Sequence, residues 1–342
     1  MPRFVSNLAR AYREAFAGLS PAVWRLAIGT FVNRCGTMVL PFFTLYLAEQ
    51  KGVPIRVAGA TLGCYGLGAI GGAYLGGWLC DRIDPIRIQR WSLGLSGVGF
   101  WIVAELDSTI AIAIAMAFQG LIAESFRPAN AASLASFSGP ADRVRAFTLY
   151  RLAINLGMSV GPVVGGLLAT ADYRLLFWVD GATAIAAAAY LGWVFRSGHA
   201  PIPHEETAPV GGEVSPWRDR PYLVLVGLGT VLAFVFFQIQ STYPLALHRL
   251  HGLSEAKIGI LLAINTVIIV ALEMVLAHAL ADARQLRIVA WGSLLFCGGL
   301  ALLPLGGGTL FLAFTVVVWT FGEMLSLPFL QGIVAVRAGA AR

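Results

Sequence analysis

Two glutamates, Glu273 and Glu323, each lie within a run of apolar residues long enough to cross a lipid bilayer. An ionised carboxylate inside a membrane is costly unless its side chain faces the protein interior. Both runs are predicted to enter from the same side, which places the carboxylates at similar depths. Like charges in such surroundings resist simultaneous ionisation, so the two could share or exchange a proton. We predict that at least one carries protons; the alternative is a hydrogen bond to a neighbouring helix.

The first half of the chain contains its own polar residue and ionisable residues within predicted helices: the amide Asn33 and the charged Arg34, Glu124 and Asp180. At 1.5 Å per residue, Arg34 lies roughly 18 Å and Glu124 roughly 22 Å into their predicted helices. They could pair, either as a buried salt bridge that specifies packing or as part of a transport path. Asp180 is predicted to be a capping or interface residue. In the second half, four uncharged polar side chains are predicted to line a cavity: Gln238, Gln240, Tyr243 and Asn265.

Composition determines the kind of element that carries these residues. Of the 342 residues, 58% are hydrophobic and 12% charged, whereas soluble domains carry about 25% charged residues. A water-soluble fold cannot bury so much apolar surface, so we predict an all-α integral membrane protein. About ten spans are predicted, at residues 22–47, 54–80, 88–104, 109–136, 146–169, 174–195, 221–247, 254–279, 287–304 and 309–331.

A polar stretch rich in Pro, Glu and Gly at residues 196–220 divides the spans into six and four. The predicted organisation is therefore a cytoplasmic amphipathic N-terminus at 1–20, an N-terminal six-helix bundle at 21–196, a cytoplasmic linker at 197–220 and a partial C-terminal bundle at 221–342.

The two halves also repeat weakly. Offsets of 203, 200 and 201 relate three pairs of residues: Pro41 and Pro244, Gly52 and Gly252, Asp81 and Asp282. Near-constant offsets predict two parallel halves. A second half as long as the first would end at about residue 396. The sequence therefore predicts an incomplete C-terminal bundle of about four helices, and we expect the chain as given not to be a competent transporter.

The distribution of Lys and Arg predicts the orientation. If the N-terminus is cytoplasmic, sixteen of the 24 basic residues lie inside, five lie outside and three lie within helices. The positive-inside rule favours this orientation, with the linker on the cytoplasmic side. Residues 1–20 contain three arginines and no apolar cleavable stretch, so no signal peptide is predicted.

Several functions are not expected from this sequence. The net charge of +6 comes from single basic residues in short loops, which is typical of membrane topology and not of nucleic-acid binding. No phosphate-binding glycine-rich loop, catalytic Ser, His and Asp set or metal-ligand spacing occurs, so we predict no enzyme activity and no cofactor or metal. Four cysteines are interpreted as small core residues: Cys35, Cys64, Cys80 and Cys297.

Two glycine-containing motifs point to conformational roles. The loop after the second span, in GGWLCDRIDPIRIQR, contains Gly77, Asp81 and Arg82. The fifth span contains the run GMSVGPVVGG, whose motif positions are Gly157, Gly161, Pro162, Gly165 and Gly166. Glycines four residues apart let helix backbones approach closely, and a proline can kink the helix.

Both motifs resemble those of the major facilitator superfamily. The pattern GxxxGPxxGG at span 5 matches in full the motif of its drug:proton antiporters. The loop is similar to the superfamily's loop between helices 2 and 3, except that Asp84 replaces a glycine and Pro85 a basic residue. Helix 4 also departs from the family, because Met116 stands where those antiporters usually carry arginine.

The resemblance implies two helical bundles that work by alternating access. We predict a proton-coupled secondary transporter of the plasma (inner) membrane, exporting small drug-like or amphipathic molecules, with substrate, protons and the lipid bilayer as partners. One alternative is a proton-coupled uptake symporter for peptides or metabolites, because NRCGTMVLPFFTLYL in span 1 is similar to peptide importers, although the ExxER signature is absent. The other is a non-transporting membrane scaffold.

Overall fold

The computed structural model describes residues 18–139, 142–196, 219–280 and 283–340. All regular structure in these ranges is helical, which confirms the predicted all-α fold. The α-helices are α1 Pro21–Cys35, α2 Val39–Leu45, α3 Ile55–Cys80, α4 Pro85–Glu105, α5 Thr109–Glu124, α6 Phe126–Phe137, α7 Arg143–Ala171, α8 Arg174–Val194, α9 Arg220–Phe237, α10 Thr242–His251, α11 Glu255–Ala279, α12 Gln285–Ala301 and α13 Thr309–Ala340.

Each of the ten predicted spans is helical. Among the described residues, eight segments are both long and apolar enough to cross a membrane: Pro21–Gln50, Thr109–Phe137, Arg145–Ala171, Arg174–Val194, Arg220–Gln240, Glu255–Glu273, Gln285–Leu305 and Thr309–Leu330. The other two predicted spans are α3 and α4, with 26 and 21 residues. They are long enough but less apolar, because α3 is rich in glycine and α4 carries arginines, serines and a glutamine.

The chain packs into two compact units. Within the described residues, the first unit takes those of Met1–Val39, Phe43–Gly161 and Ala171–His204. The second unit takes those of Leu40–Phe42, Pro162–Thr170 and Glu205–Arg342, so α2 and α7 are each divided between the two. The division into bundles at 21–196 and 221–342 stays a prediction. Most of the predicted amphipathic N-terminus and linker lies outside the described residues, as does Asp282.

Close helix packing in the first unit depends on glycine. A Cβ atom at Gly97 of α4 would lie 2.6 Å from the carbonyl oxygen of Gly181 in α8. Beside this contact, Trp101 Nε1 donates a hydrogen bond to the Trp178 carbonyl at 3.0 Å. Buried amides add hydrogen bonds between helices: Gln89 Nε2 of α4 donates to Ser133 Oγ of α6 at 2.7 Å. Small residues and interhelical hydrogen bonds of this kind hold membrane helices together.

Three loops of the first unit are joined by polar contacts. Lys51 Nζ lies 2.5 Å from Asp107 Oδ1 and also donates to the Leu106 carbonyl at 3.2 Å. Gln50 Nε2 donates to Asp172 Oδ1 at 3.3 Å. The hydrogen bond between Lys51 and Asp107 raises the pKa of the lysine and lowers the pKa of the carboxyl group. The loops after α2, α4 and α7 are therefore tied to one another at this end of the unit.

Both units begin with an interrupted helix that ends in the same turn. In the first unit, α1 ends at Cys35 and α2 begins at Val39; in the second, the 3₁₀ segment Gln238–Gln240 separates α9 from α10. Gly52 and Gly252, which terminate these segments, have φ angles of +65° and +64°. Each turn has the same backbone hydrogen bond, from Val53 to Leu47 at 2.9 Å and from Leu253 to Leu247 at 3.2 Å. The turns agree with the predicted pairing of Gly52 with Gly252, because a left-handed residue there favours glycine.

Candidate functional site

The second unit contains a hydrogen-bonded carboxylate between two spans. Asn265 Nδ2 of α11 donates to Glu323 Oε2 of α13 at 2.8 Å. The same nitrogen donates to Thr320 Oγ1 at 3.1 Å, and the Thr320 hydroxyl in turn donates to the Val316 carbonyl at 2.6 Å. Thr320 and Glu323 are three residues apart, which places both side chains on one face of α13. Asn265 is buried and Glu323 is half-buried.

Aromatic side chains of the same unit pack beside this carboxylate on α13. Tyr243 of α10 lies edge-on to Trp319 with ring centroids 5.9 Å apart, and Phe296 lies edge-on to Trp319 at 6.3 Å. Tyr243 Oη and Trp319 Nε1 are both buried and have no hydrogen-bond partner among the described residues. The Tyr243 hydroxyl lies close to the Trp319 and Thr315 side chains, which are its polar neighbours in this cluster.

The remaining predicted residues of the second unit lie at different places. Gln238 accepts a hydrogen bond from the Thr242 hydroxyl at 2.7 Å, which stabilises the junction between α9 and α10. Gln240 is half-buried at the end of the 3₁₀ segment. Glu273 is half-buried and lies eight residues beyond Asn265, or about 12 Å farther along α11. Proton sharing between Glu273 and Glu323 stays a prediction.

In the first unit, Glu124 has a different partner from the one predicted. Its Oε2 atom lies 2.9 Å from Arg127 Nε, and its Oε1 atom accepts a hydrogen bond from Tyr65 Oη at 3.3 Å. Within the described residues Glu124 forms no ion pair with Arg34, so the predicted pair is wrong. The reason is local, because an arginine three residues along the chain reaches the carboxylate without bringing distant helices together.

Arg34 lies at the interruption of the first helix. Its Nε atom is buried and has no hydrogen-bond partner among the described residues. A Cβ atom at Gly157 of α7 would overlap Arg34 Cβ, and one at Gly161 would lie 2.8 Å from the Thr37 carbonyl oxygen. These two motif glycines therefore allow α7 to pack directly against the interruption. The preceding residue, Asn33, accepts the backbone N–H of Gly36 at 3.2 Å through its carbonyl.

Asp180 stabilises the restart of this helix. Its Oδ2 atom accepts the backbone N–H groups of Met38 at 3.3 Å and Val39 at 3.2 Å, at the beginning of α2. The carboxylate is buried and comes from α8, more than 140 residues along the chain. Asp180 is therefore a capping residue, as predicted, and it satisfies N–H groups that have no partner within the interrupted helix.

The rest of the glycine motif belongs to the second unit. A Cβ atom at Gly259 of α11 would overlap the Pro162 carbonyl oxygen, and one at Gly166 would overlap the Glu255 carbonyl oxygen. Gly165 is buried in the same helix. α7 stays helical through Pro162. One half of the motif therefore packs on the interruption near Arg34 and the other half packs on α11.

The loop motif between α3 and α4 has a mainly local role in this structure. Arg82 lies over the Trp78 ring, with its guanidinium carbon 4.0 Å from the centroid. Asp81 is exposed at the end of α3, and open space surrounds Gly77. Asp84 accepts the backbone N–H of Ile86 at 3.2 Å and so caps α4. The two departures from the family pattern, Asp84 and Pro85, thus supply the preferred cap and first residue of a helix.

Several site residues were not predicted from the sequence. Thr320 and Trp319 lie three and four residues before Glu323 on α13, so they could have been predicted from helical spacing. Tyr65 and Tyr150, which lie within electrostatic range of Arg34, Glu124 and Arg127, carry no such signal. They come from α3 and α7 and meet these residues only through packing.

The long apolar helices and the polar side chains within them define a multi-pass α-helical membrane protein. The chain belongs to the Major Facilitator Superfamily, whose profile matches residues 26–342. It is 24% identical to the uncharacterized MFS-type transporter YqjV of Bacillus subtilis over 319 residues, covering 90% of this chain and 76% of that protein.

Two further relatives have more specific names. The chain is 22% identical to the Na(+), Li(+), K(+)/H(+) antiporter of Planococcus maritimus, covering 91% of this chain and 80% of that protein. It is 25% identical to the multidrug resistance protein MdtH of Aeromonas hydrophila, covering 75% of this chain and 64% of that protein. Among solved structures, the peptide transporter POT in complex with sulfate has a TM-score of 0.74 at 16% identity, over 95% of this chain and 88% of that one. This likeness confirms the superfamily fold.

Proposed function

We propose that the protein is a proton-coupled secondary transporter that exports small amphipathic molecules, with Glu323 as the residue that carries the proton. The observation that carries this proposal is the hydrogen bond of 2.8 Å from Asn265 to Glu323, between two membrane spans. An ionisable residue inside a span is a functional candidate by default, because its charge is costly there.

The hydrogen-bond geometry favours a carboxylate that can change its protonation state. The Asn265 amide also donates to the Thr320 hydroxyl, which helps to orient its N–H groups toward Glu323. That donor stabilises the ionised form of Glu323. Protonation removes the charge and weakens this hydrogen bond, so the protonated and ionised states differ in how strongly α11 and α13 are held together. Such a difference is what a coupled transporter needs.

The aromatic neighbours support an amphipathic substrate. Tyr243, Trp319 and Phe296 supply apolar ring surface, and Tyr243 and Trp319 add one hydroxyl and one indole N–H group. Apolar walls with a few placed polar groups are typical of small-molecule sites. The names of the antiporter and multidrug relatives support exchange and export as the direction.

Location and topology complete the proposal. The protein resides in the plasma (inner) membrane with its N-terminus in the cytoplasm, and it works by alternating access of two helical bundles. Uptake symport and a scaffold role are the competing functions, and both predict a different response to a proton gradient.

The test uses everted membrane vesicles that contain the full-length protein and have an acidic interior. A panel of small amphipathic compounds is added outside, and the interior pH is followed with a fluorescent dye. An exporter that exchanges substrate for protons will make the interior less acidic when a substrate is added. A symporter given substrate only on the outside, or a scaffold, will leave the gradient unchanged, and that result across the panel would contradict the proposal.

A further inference from the structure

Arg34 of the first unit is a charged residue without an ion-pair partner among the described residues. Its Nε atom is buried, and within the described chain it has no hydrogen-bond partner. The residue as a whole is half-buried at the end of α1. A positive charge at this depth is unfavourable unless an anionic group accompanies it.

The two carboxylates near Arg34 are engaged by other groups. Glu124 binds Arg127 at 2.9 Å and accepts the Tyr65 hydroxyl at 3.3 Å. Asp180 lies close enough to interact electrostatically with Arg34, but its Oδ2 atom accepts the backbone N–H groups at the start of α2. Asp180 therefore interacts with Arg34 through its charge, and the Arg34 Nε–H group stays without an acceptor among the described residues.

The position of Arg34 is fixed by its backbone surroundings. Gly157 packs against the Arg34 Cβ and carbonyl carbon atoms, and Gly161 packs against the carbonyl oxygens that follow. One further hydroxyl group, that of Tyr150 from α7, lies within electrostatic range of Arg34, whereas the Tyr65 hydroxyl donates to Glu124. A guanidinium group with a nearby hydroxyl donor suits a carboxylate, which can accept two parallel N–H bonds from arginine.

We propose that Arg34, assisted by the hydroxyl of Tyr150, forms a binding site for a carboxylate group of the transported molecule. The inference rests on the proposed transport function and adds a substrate class to it: amphipathic molecules that carry a carboxylate. The site lies wholly within the first unit, so it is separate from Glu323.

The test measures equilibrium binding of benzoate to the purified protein by isothermal titration calorimetry, with neutral benzamide as the matched probe. Benzoate should bind more tightly than benzamide. Arg34→Gln should weaken benzoate binding at least tenfold. Arg34→Lys keeps the positive charge but lacks the two parallel N–H groups of the guanidinium, and it should weaken binding less. Arg56→Gln, at an exposed arginine of α3, is the control and should bind benzoate like the wild type. Equal benzoate affinity in Arg34→Gln and wild type would overturn the proposal.

Tyr150→Phe keeps the test valid if Arg34→Gln does not fold, because it removes only a hydroxyl group. It should weaken benzoate binding by about three- to tenfold, and unchanged affinity would overturn the site as proposed. An anionic lipid headgroup has related chemistry, so the titration is repeated in nanodiscs of phosphatidylcholine and of phosphatidylglycerol. Equal benzoate affinity in both supports the proposal, whereas loss of binding in phosphatidylglycerol assigns Arg34 to lipid and overturns it.

Glu323→Gln separates this proposal from the proposed function. It should bind benzoate like the wild type, because Glu323 is not part of the site. If wild-type protein binds benzoate no better than benzamide, the carboxylate site is wrong, while the vesicle assay for proton exchange remains an independent result.

Discussion

Gly157 of α7 lies so close to Arg34 of α1 that no side chain fits between them. A Cβ atom at residue 157 would overlap Arg34 Cβ and would lie 2.9 Å from the Arg34 carbonyl carbon. The contact joins the glycine motif of α7 to the interruption of the first helix, where Asp180 caps the restart. The glycine motif therefore allows close packing of α7 on α1, and this packing positions a charged residue inside the first unit.

Substitution at this contact should destabilise the protein. Gly157→Ala forces α1 and α7 apart at the interruption, and overpacking of this kind costs about 1–3 kcal/mol. Thermal unfolding of the purified protein should show a clear fall in Tm. Gly63→Ala is the matched control, because open space surrounds Gly63 in α3. Equal Tm values for the two variants would contradict the packing role.

Removing the cap at the restart of the helix should also lower stability. Asp180→Ala leaves the N–H groups of Met38 and Val39 without their acceptor, and loss of a helix cap costs about 1 kcal/mol. Asp180→Asn keeps an acceptor oxygen and should be milder. Differential scanning calorimetry can rank the variants against Asp142→Asn, which affects a half-exposed pair with Arg145. An Asp180→Ala protein as stable as Asp142→Asn would refute the capping role.

The pair between Lys51 and Asp107 should contribute to stability over a defined pH range. Because the pKa of Asp107 is lowered from 3.8, its contribution is complete above that value and disappears as the pH falls through the lowered pKa. Because the pKa of Lys51 is raised from 10.5, its contribution is complete below that value and disappears as the pH rises through the raised pKa. The Tm difference between wild type and Asp107→Asn should therefore be constant from pH 5 to pH 9 and shrink in stronger acid.

Glu105→Gln, two residues earlier at an exposed position, provides the control for this pH series. It should follow the wild-type Tm across the range. A difference between wild type and Asp107→Asn that changes steadily between pH 5 and pH 9 would mean that another group dominates this part of the structure.

The topology can be tested with two reporters. A fluorescent protein fused after Arg196 should be active, because the charge distribution places this point in the cytoplasm. Alkaline phosphatase fused after Arg249 should be active, because that point is predicted to lie outside. Exchanging the reporters provides the control, and inverted activities at both positions would reverse the orientation.

The sequence was sufficient to predict the helices, because a bilayer demands long apolar runs wherever it is crossed. It also identified Gly52 and Gly252 as equivalent positions, and the two turns have nearly the same geometry. A capping role for Asp180 could be predicted, because a buried carboxylate near a helix end needs hydrogen-bond donors. The N–H groups that it caps could not be predicted, since the interruption of the first helix depends on tertiary packing.

Side-chain partners were the least predictable part of the site. The positions of Arg34 and Glu124 along their helices predicted similar depths in the membrane. Depth alone does not determine whether the two side chains point toward each other. The nearby Arg127 therefore took the place of the distant Arg34. In the same way, Asn265 and Glu323 are 58 residues apart, and their hydrogen bond follows from the packing of α11 on α13.

The central claim, that Glu323 carries the coupled proton, is tested most directly by the proton flux of one variant. Proteoliposomes that have an acidic interior and contain the full-length protein should lose protons when a substrate found in the vesicle screen is added, both with the wild type and with the Glu105→Gln control. Glu323→Gln keeps the shape and hydrogen bonding of the side chain but cannot ionise, so it should insert normally and show no substrate-dependent proton flux. Substrate-dependent proton flux in Glu323→Gln equal to that of the wild type would contradict the account.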